Sequence, residues 1–210
     1  MVLKLEKVPN NPRMIALFWE GSLFRTVCKF LFLKELEKLP APATQEELSS
    51  YLTQIEQKEG KRYAVSLLSK RALLSSQLEK KLSLKGISRV GIQTIVQFCM
   101  QRGYLDDATQ TTRLITRELK KGRSRRAIYS KLAGQKGVDP ELLNPLLNSS
   151  VSSDEEALDL WIAKHAKKFD ATDFNQRRKI WQKLSALGFS SDLIRKKIVL
   201  EEEEISRGDN

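Results

Sequence analysis

Apolar positions recur with the spacing of an amphipathic helix at three places in the chain, and each time a glycine follows. The three sets are Leu78–Leu82–Gly86, Ile128–Leu132–Gly137 and Ile180–Leu184–Gly188. An apolar i, i+4 pair marks one face of a helix, and a glycine just beyond it ends the helix. In every copy the next anchoring apolar residue lies six positions after the glycine, and the second copy has one extra residue before its glycine. Such self-similarity predicts stacked units, each too small to bury its own apolar face.

The first 28 residues have a different pattern. "VLKLEKV" alternates apolar and charged residues, "RMIALFW" is apolar, and "EGSLFRTVC" follows a turn-like Glu20-Gly21 pair. This predicts two or three short strands in a hairpin or small meander. A helix is predicted over "KFLFLKELEKL", and a capping box of Thr44 with Glu47 indicates the start of another.

Everything from about residue 59 is predicted to be helical, with three helices in each repeat. Helix starts are indicated by Ser76 with Glu79, by Ser88, by Asp139-Pro140 and by Ser153 with Glu156. The predicted fold is mainly α, with tandem three-helix repeats forming an elongated curved stack and a small β-hairpin or meander at the N-terminus. The predicted divisions are an N-terminal extension (1–58), repeats at 59–107, 108–152 and 153–204, and a tail (205–210).

Composition narrows the functional classes. The 210 residues are 40% hydrophobic and 30% charged, which indicates a globular chain. Thirty-seven Lys and Arg against 26 Asp and Glu give a formal charge of +11, so polyanions or acidic protein surfaces are the favoured partners. Cys28 and Cys99 form no metal-binding or disulfide pattern, which fits a reducing compartment. Without a membrane-spanning run or a signal peptide, a cytoplasmic location is predicted.

The order of several segments resembles the RecX family, the regulators of the RecA recombinase. The segments are "RALLSSQLEKKLSLKG", "RGYLDD", "KKGRSRRAIYSKLAGQKGV" and "LSALGFSSDLI", and "LKLEKV…RMIALFWEGSLFRTV" is similar to the strand-rich leader of some members. "GYLDD" (Gly103 to Asp107) is the most specific piece, followed by Leu187–Ser190. The chain departs from the family pattern at Gln110-Thr111, where a Phe-Ala pair is usual.

The resemblance implies a small modulator that lies along the helical groove of the RecA–single-stranded DNA filament. There it would limit filament growth and reduce ATP hydrolysis, strand exchange and co-protease signalling. It also implies a place in DNA repair, recombination and the SOS response.

Basic residues are concentrated in the second half of the chain. Nine Lys or Arg and one acid, Glu118, lie between Arg113 and Lys136. We predict that the basic residues form an electropositive track for an extended polyanion or an acidic groove, with binding that weakens as salt rises. A solvated helix face is the alternative interpretation. The predicted track comprises Lys120, Lys121, Arg123, Arg125, Arg126, Lys164, Lys167, Lys168, Arg177, Arg178, Lys179, Lys183, Arg195, Lys196 and Lys197.

Other candidate residues favour structural roles. Asp106 and Asp107 follow one helix and precede another, where aspartate caps the second. The lone His165 has no evident partner for a catalytic triad or a metal site, and Trp161 and Trp181 are predicted to be core residues. The sequence therefore predicts no catalytic centre, no metal and no cofactor.

Two functions compete on this basis. The first is a monomeric, non-enzymatic modulator of the RecA nucleoprotein filament, with weak sequence-independent DNA contact and no membrane association. The alternative is a helix-turn-helix protein that reads duplex DNA directly, although no helix carries the concentration of Asn, Gln and Arg expected for base readout. An enzyme is a distant third.

Overall fold

Helices make up most of the chain in a computed structural model, which describes residues 3–135, 137–165 and 173–198. A small antiparallel sheet precedes them, as the sequence predicts. The chain divides into two units, Met1–Asp107 and Ala108–Asn210, and each is described by itself. In the described part of the chain no helix is long and apolar enough to cross a membrane.

The sheet is a three-stranded meander that opens the first unit. Its strands are β1 (Leu3–Val8), β2 (Asn11–Trp19) and β3 (Ser22–Cys28), in the order β1-β2-β3. The β2–β3 turn uses Gly21 at φ 81°, a value that favours glycine. The predicted meander is confirmed, and one of its faces buries Ile15, Leu17 and Val27 in the core of the unit.

Helical segments follow the sheet, and two of them join through a π-helical turn. They are α1 (Lys29–Leu36), α2 (Gln45–Ile55), the π-turn (Glu56–Gly60) and α3 (Lys61–Lys70). Thr44 caps α2 by accepting from the Glu47 N–H at 3.2 Å, as predicted. The π-turn places the Glu56 carboxylate inside the unit, where it accepts from the Ser88 N–H at 2.8 Å and from Arg25. A π-turn inserts one residue into the helix, which changes the direction of the side chains that follow.

Two more helices complete the first unit, α4 (Ser75–Ser83) and α5 (Arg89–Gln101). Ser88 caps α5 as predicted, accepting from the Gly91 N–H at 2.9 Å. The predicted capping box of Ser76 with Glu79 is wrong, because α4 begins two residues earlier than that box requires and Leu74 occupies its N-cap position. The N–H of Ser75, the first residue of α4, is instead bound by a residue 32 positions later in the chain. The Asp107 carboxylate accepts from this N–H at 2.8 Å and also from the Ser75 hydroxyl.

The described residues of the second unit form helices joined by turns and contain no strand. Its helices are α6 (Asp107–Lys120), which begins at the last residue of the first unit, α7 (Arg125–Ala133), α8 (Pro140–Ser150), α9 (Asp154–His165) and α10 (Phe174–Ala186), and residues 191–198 are also helical. Asp139 caps α8 and Ser153 caps α9, as predicted. Trp161 is buried as predicted, whereas Trp181 is only partly buried.

The repeat pattern corresponds to buried positions in both units. The paired apolar residues before each glycine are all buried, and the three glycines have φ values of 75° at Gly86 and 95° at Gly137 and Gly188. The glycines therefore occupy the turns after the helices in a conformation that residues with a side chain rarely adopt. The subdivision into three repeats within residues 59–204 remains our proposal, and the tail at 205–210 lies outside the described residues.

Candidate functional site: the basic surface of the second unit

The α6–α7 junction is fixed at both of its ends. Gly122, at φ 75°, is so close to the Trp161 indole that an added Cβ would lie 2.3 Å from Cδ1. Ser124 is fully buried and caps α7 by accepting from the Ala127 N–H at 3.1 Å. The Ser124 N–H and hydroxyl also donate to the carbonyls of Leu187 and Gly188, at 3.0 and 2.9 Å. The cations on this junction therefore project from rigid backbone.

Glu118 lies fully buried beneath the junction and is surrounded by cations. Lys121 Nζ and Lys131 Nζ each lie 2.8 Å from its carboxylate, and Arg123 Nε lies 3.0 Å away. Burial by itself raises the pKa of Glu118. The hydrogen bonds from Lys121 and Lys131 act in the opposite direction and outweigh burial, so the pKa falls from the usual 4.5 to about 2. Two residues of the predicted track, Lys121 and Arg123, therefore have a structural role.

The two arginines that open α7 also make contacts within the unit. Arg125 donates through Nη2 to the Asn148 side-chain oxygen. The Arg126 backbone N–H donates to Asp154 at 3.1 Å, and its guanidinium lies 3.4 Å from the Gly188 carbonyl. These contacts hold both side chains in place while Arg126 remains exposed.

A cavity of about 250 Å³ brings other predicted cations together beside the buried indole. Its walls include Lys120, Arg123 and Lys164, with Trp161 and His165 between them. The two rings stack with centroids 4.3 Å apart, and His165 Nδ1 lies 2.8 Å from the Trp161 carbonyl oxygen. The lone histidine therefore packs against its own helix.

Within the described residues, the remaining predicted cations lie on α10 and in the helical residues 191–198. Lys183 Nζ lies 5.5 Å from the centroid of the Trp161 ring, close enough for a cation–π interaction. Lys196 and Lys197 pair with carboxylates of α9, with Lys197 Nζ 2.7 Å from Asp159. This hydrogen bond raises the pKa of Lys197.

Five exposed cations of the predicted track have no hydrogen-bond, ion-pair or ring partner among the described residues, and we call them the unpaired cations. They are Lys120, Lys164, Arg178, Lys179 and Arg195. Arg177 is half-buried and engaged, while the predicted residues Lys167 and Lys168 lie outside the described residues. The structure thus divides the predicted track into cations held by contacts within the unit and cations that are free to meet a partner.

One residue of the network around Glu118 lies outside the predicted track. It is Lys131, which contacts Glu118 although it lies 13 positions later in the chain. The sequence offers one signal for this contact, the position of Lys131 on α7 about two turns after Arg125. That signal is insufficient because the sequence does not show that Glu118 is buried.

Comparisons with known proteins find relatives that are named regulatory protein RecX. No family model matches the chain. The chain is 33% identical over 113 residues to the regulatory protein RecX of Caldanaerobacter subterraneus, a match that covers 54% of this chain and 57% of that protein. It is 28% identical over 144 residues to the regulatory protein RecX of Vibrio parahaemolyticus, covering 69% of this chain and 92% of that protein.

Solved structures share the fold. A crystal structure of a regulatory protein RecX superposes with a TM-score of 0.53 at 16% identity, covering 92% of this chain and 97% of that chain. RecX from Lactobacillus salivarius superposes with a TM-score of 0.55 at 21% identity, covering 70% of this chain and 96% of that chain. The chain is thus similar in sequence to regulatory proteins named RecX and shares the fold of solved RecX structures.

Proposed function

We propose that this chain binds the RecA–single-stranded DNA filament and lowers its recombinase, ATPase and co-protease activities. The relatives are named as regulatory proteins, which supports a regulatory role. The observation that carries the proposal is the set of unpaired cations on the second unit. Exposed cations that lack an internal partner keep their full attraction for an external anion.

The unpaired cations are the residues that we propose contact the filament. Lys120 and Lys164 are the strongest candidates because they line one cavity, next to the rigid α6–α7 junction. Lys121 and Arg123 contribute less, since part of their charge already balances Glu118. Both the phosphates of a nucleoprotein filament and acidic side chains of the recombinase fit such a surface.

The proposal is tested by the single-stranded-DNA-dependent ATPase activity of RecA, with this chain titrated in below one molecule per RecA. We expect inhibition at sub-stoichiometric amounts, because one molecule in the filament groove affects several recombinase subunits. No effect at excess, with the chain shown to be folded, would contradict filament modulation.

A pair of matched variants localises the contact. We expect Lys120→Glu combined with Lys164→Glu to raise the concentration needed for half-inhibition at least about tenfold, because two attractive contacts become repulsive. Lys80→Glu combined with Lys81→Glu applies the same change of charge to α4 in the first unit. If both pairs weaken inhibition equally, net charge rather than this surface governs binding.

Direct recognition of duplex DNA through α7 is the alternative. The arginines that would begin such a recognition helix, Arg125 and Arg126, contact Asn148 and the Gly188 carbonyl instead. Tight sequence-specific binding to a duplex without RecA would favour this alternative over the proposal. A monomeric state and a cytoplasmic location remain predictions.

A further inference from the structure

A second basic surface lies in the first unit, far along the chain from the predicted track. A cavity of about 510 Å³ opens where β2 and β3 meet the start of α1. None of the described residues that line it is acidic. We call it the Phe30 cradle, and its walls include Arg13, Lys29, Phe30, Leu33, Lys34 and Lys85.

Phe30 is the unusual member of this cradle. Its neighbours Leu31 and Phe32 are buried in the core, but Phe30 is 82% exposed, more than any other large apolar side chain of the described residues. An aromatic ring held in water at the rim of a cavity loses hydrophobic stabilisation unless something covers it. The ring is thus available to a partner.

Backbone contacts hold the main chain at two of the cradle's cations, Arg13 and Lys85. Arg13 lies on β2 next to Met14, which pairs with Cys28 at the end of β3. The backbone of Lys85 is fixed because its carbonyl accepts from the Cys28 N–H at 2.9 Å and the following Gly86 packs directly on β3. The Lys85 ammonium lies 5.5 Å from the centroid of the Tyr63 ring. A Cβ at Gly86 would lie 2.2 Å from the Thr26 carbonyl oxygen, so this turn cannot move away from the strand.

The charge of the cradle is not balanced internally. Within the described residues, none of its four cations has a carboxylate within 4 Å. The acid nearest in sequence, Glu35, is engaged elsewhere by Lys38 and Lys58, at 2.5 and 2.9 Å. The hydrogen bond from Lys38, followed by that from Lys58, lowers the pKa of Glu35 to about 2, so this carboxylate stays ionised and paired.

We propose that the Phe30 cradle binds single-stranded nucleic acid, with a base stacked on Phe30 and phosphates held by the surrounding cations. An exposed aromatic ring among cations is the arrangement by which proteins bind single strands without reading their sequence. A purely acidic protein surface would use the cations but would leave the ring without a flat partner. A duplex keeps its bases stacked on each other, so its bases cannot reach the ring.

The test uses the full chain without RecA, so that its outcome is separate from that of the proposed function. Fluorescence anisotropy compares labelled oligothymidylate with an abasic oligomer of the same length and charge. We expect oligothymidylate to bind about 5- to 150-fold more tightly, the range that corresponds to stacking of one base. Equal binding of the two oligomers would overturn the proposal, because it would leave the ring without a role.

Two variants locate the effect. Phe30→Ala removes an exposed side chain, so we expect the melting temperature to stay unchanged while the preference for oligothymidylate over the abasic oligomer disappears. Phe174→Ala, which removes a 70% exposed phenylalanine from the second unit, should keep that preference. If the two variants behave alike, the cradle is not the stacking site.

The cations are tested through salt dependence. Arg13→Gln combined with Lys34→Gln should flatten the slope of log affinity against log salt by about 1.4, since each phosphate contact on a single strand contributes about 0.7. An unchanged slope would show that these cations do not contact phosphates. Tighter binding to polyglutamate than to oligothymidylate would overturn the proposal in favour of an acidic protein partner.

Discussion

Replacing Glu118 by glutamine tests whether the centre of the α6–α7 network stabilises the second unit through its charge. Glutamine keeps the size of the side chain and removes the negative charge that Lys121, Lys131 and Arg123 surround. The three cations would then lie close together with no anion between them. We expect the variant to fold with a lower free energy of unfolding.

The pKa of Glu118 sets the size of this effect. A fall from 4.5 to about 2 corresponds to roughly 3 kcal/mol at neutral pH. Lys121 and Lys131 keep 50% and 42% of their side chains exposed, so solvent screens part of the attraction. We therefore expect Glu118→Gln to cost about 1–2 kcal/mol at pH 7.

The sign of the pH dependence follows from the lowered pKa. Ionised Glu118 contributes its full stabilisation above pH 4.5 and loses it as the pH falls toward about 2. Urea unfolding of both proteins at about pH 7 and about pH 2 measures the difference. Tryptophan fluorescence is the signal, from Trp161 and Trp181 in the second unit and Trp19 in the first. The cost of the substitution should be large at the higher pH and close to zero at the lower pH.

Two results would refute this reasoning. An unchanged free energy of unfolding at pH 7 would mean that the network contributes no net stability, and an equal loss at both pH values would assign the effect to packing. Glu141→Gln, at the exposed start of α8, is the matched control, and we expect it to cost less than about 0.5 kcal/mol.

Three further substitutions test contacts described above. Gly188→Ala should lower the free energy of unfolding by about 1–3 kcal/mol in a urea titration, because φ is 95° and the new methyl group would meet α7. An unchanged free energy of unfolding would mean that the turn can relax. Asp107→Asn should cost about 1 kcal/mol, because the amide accepts more weakly from Ser75, and faster amide hydrogen exchange at the start of α4 would show it. Lys183→Ala should shift the fluorescence of Trp161 and cost about 0.5–1 kcal/mol, and an unchanged spectrum would contradict the cation–π contact.

Features that depend on neighbours in sequence could be predicted from the sequence. The apolar pairs and their glycines, the meander and the caps at Ser88 and Asp139 all depend on residues within a few positions of each other. Here short-range periodicity and backbone preference determine the structure directly. The prediction of Asp107 as a cap for α6 missed its main contact, because its carboxylate accepts from Ser75, 32 positions earlier.

Roles that depend on burial could not be predicted. Lys121 and Arg123 have the same local pattern as Lys120, yet a buried carboxylate engages the first two and not the third. A solvated cation and a cation paired with a buried carboxylate have the same charge and the same spacing in the sequence. Telling the two apart therefore requires the three-dimensional structure. In the same way "KFLFLKEL" predicts a helix with apolar residues but not that Phe30 faces solvent.

Each unit contains a hydrogen bond between two residues that lie about sixty positions apart in the chain. Arg25 donates to the Gly86 carbonyl, 61 positions later, and Ser124 donates to the Gly188 carbonyl, 64 positions later. At synthesis rates of about 5–20 residues per second, a ribosome needs roughly 3 to 13 s to make the second partner after the first. The first unit can fold while the second is still being made. A ribosome that stalls before Gly188 would therefore hold a folded first unit followed by unprotected apolar residues, including Ile128 and Leu132, which are targets for chaperones and proteases.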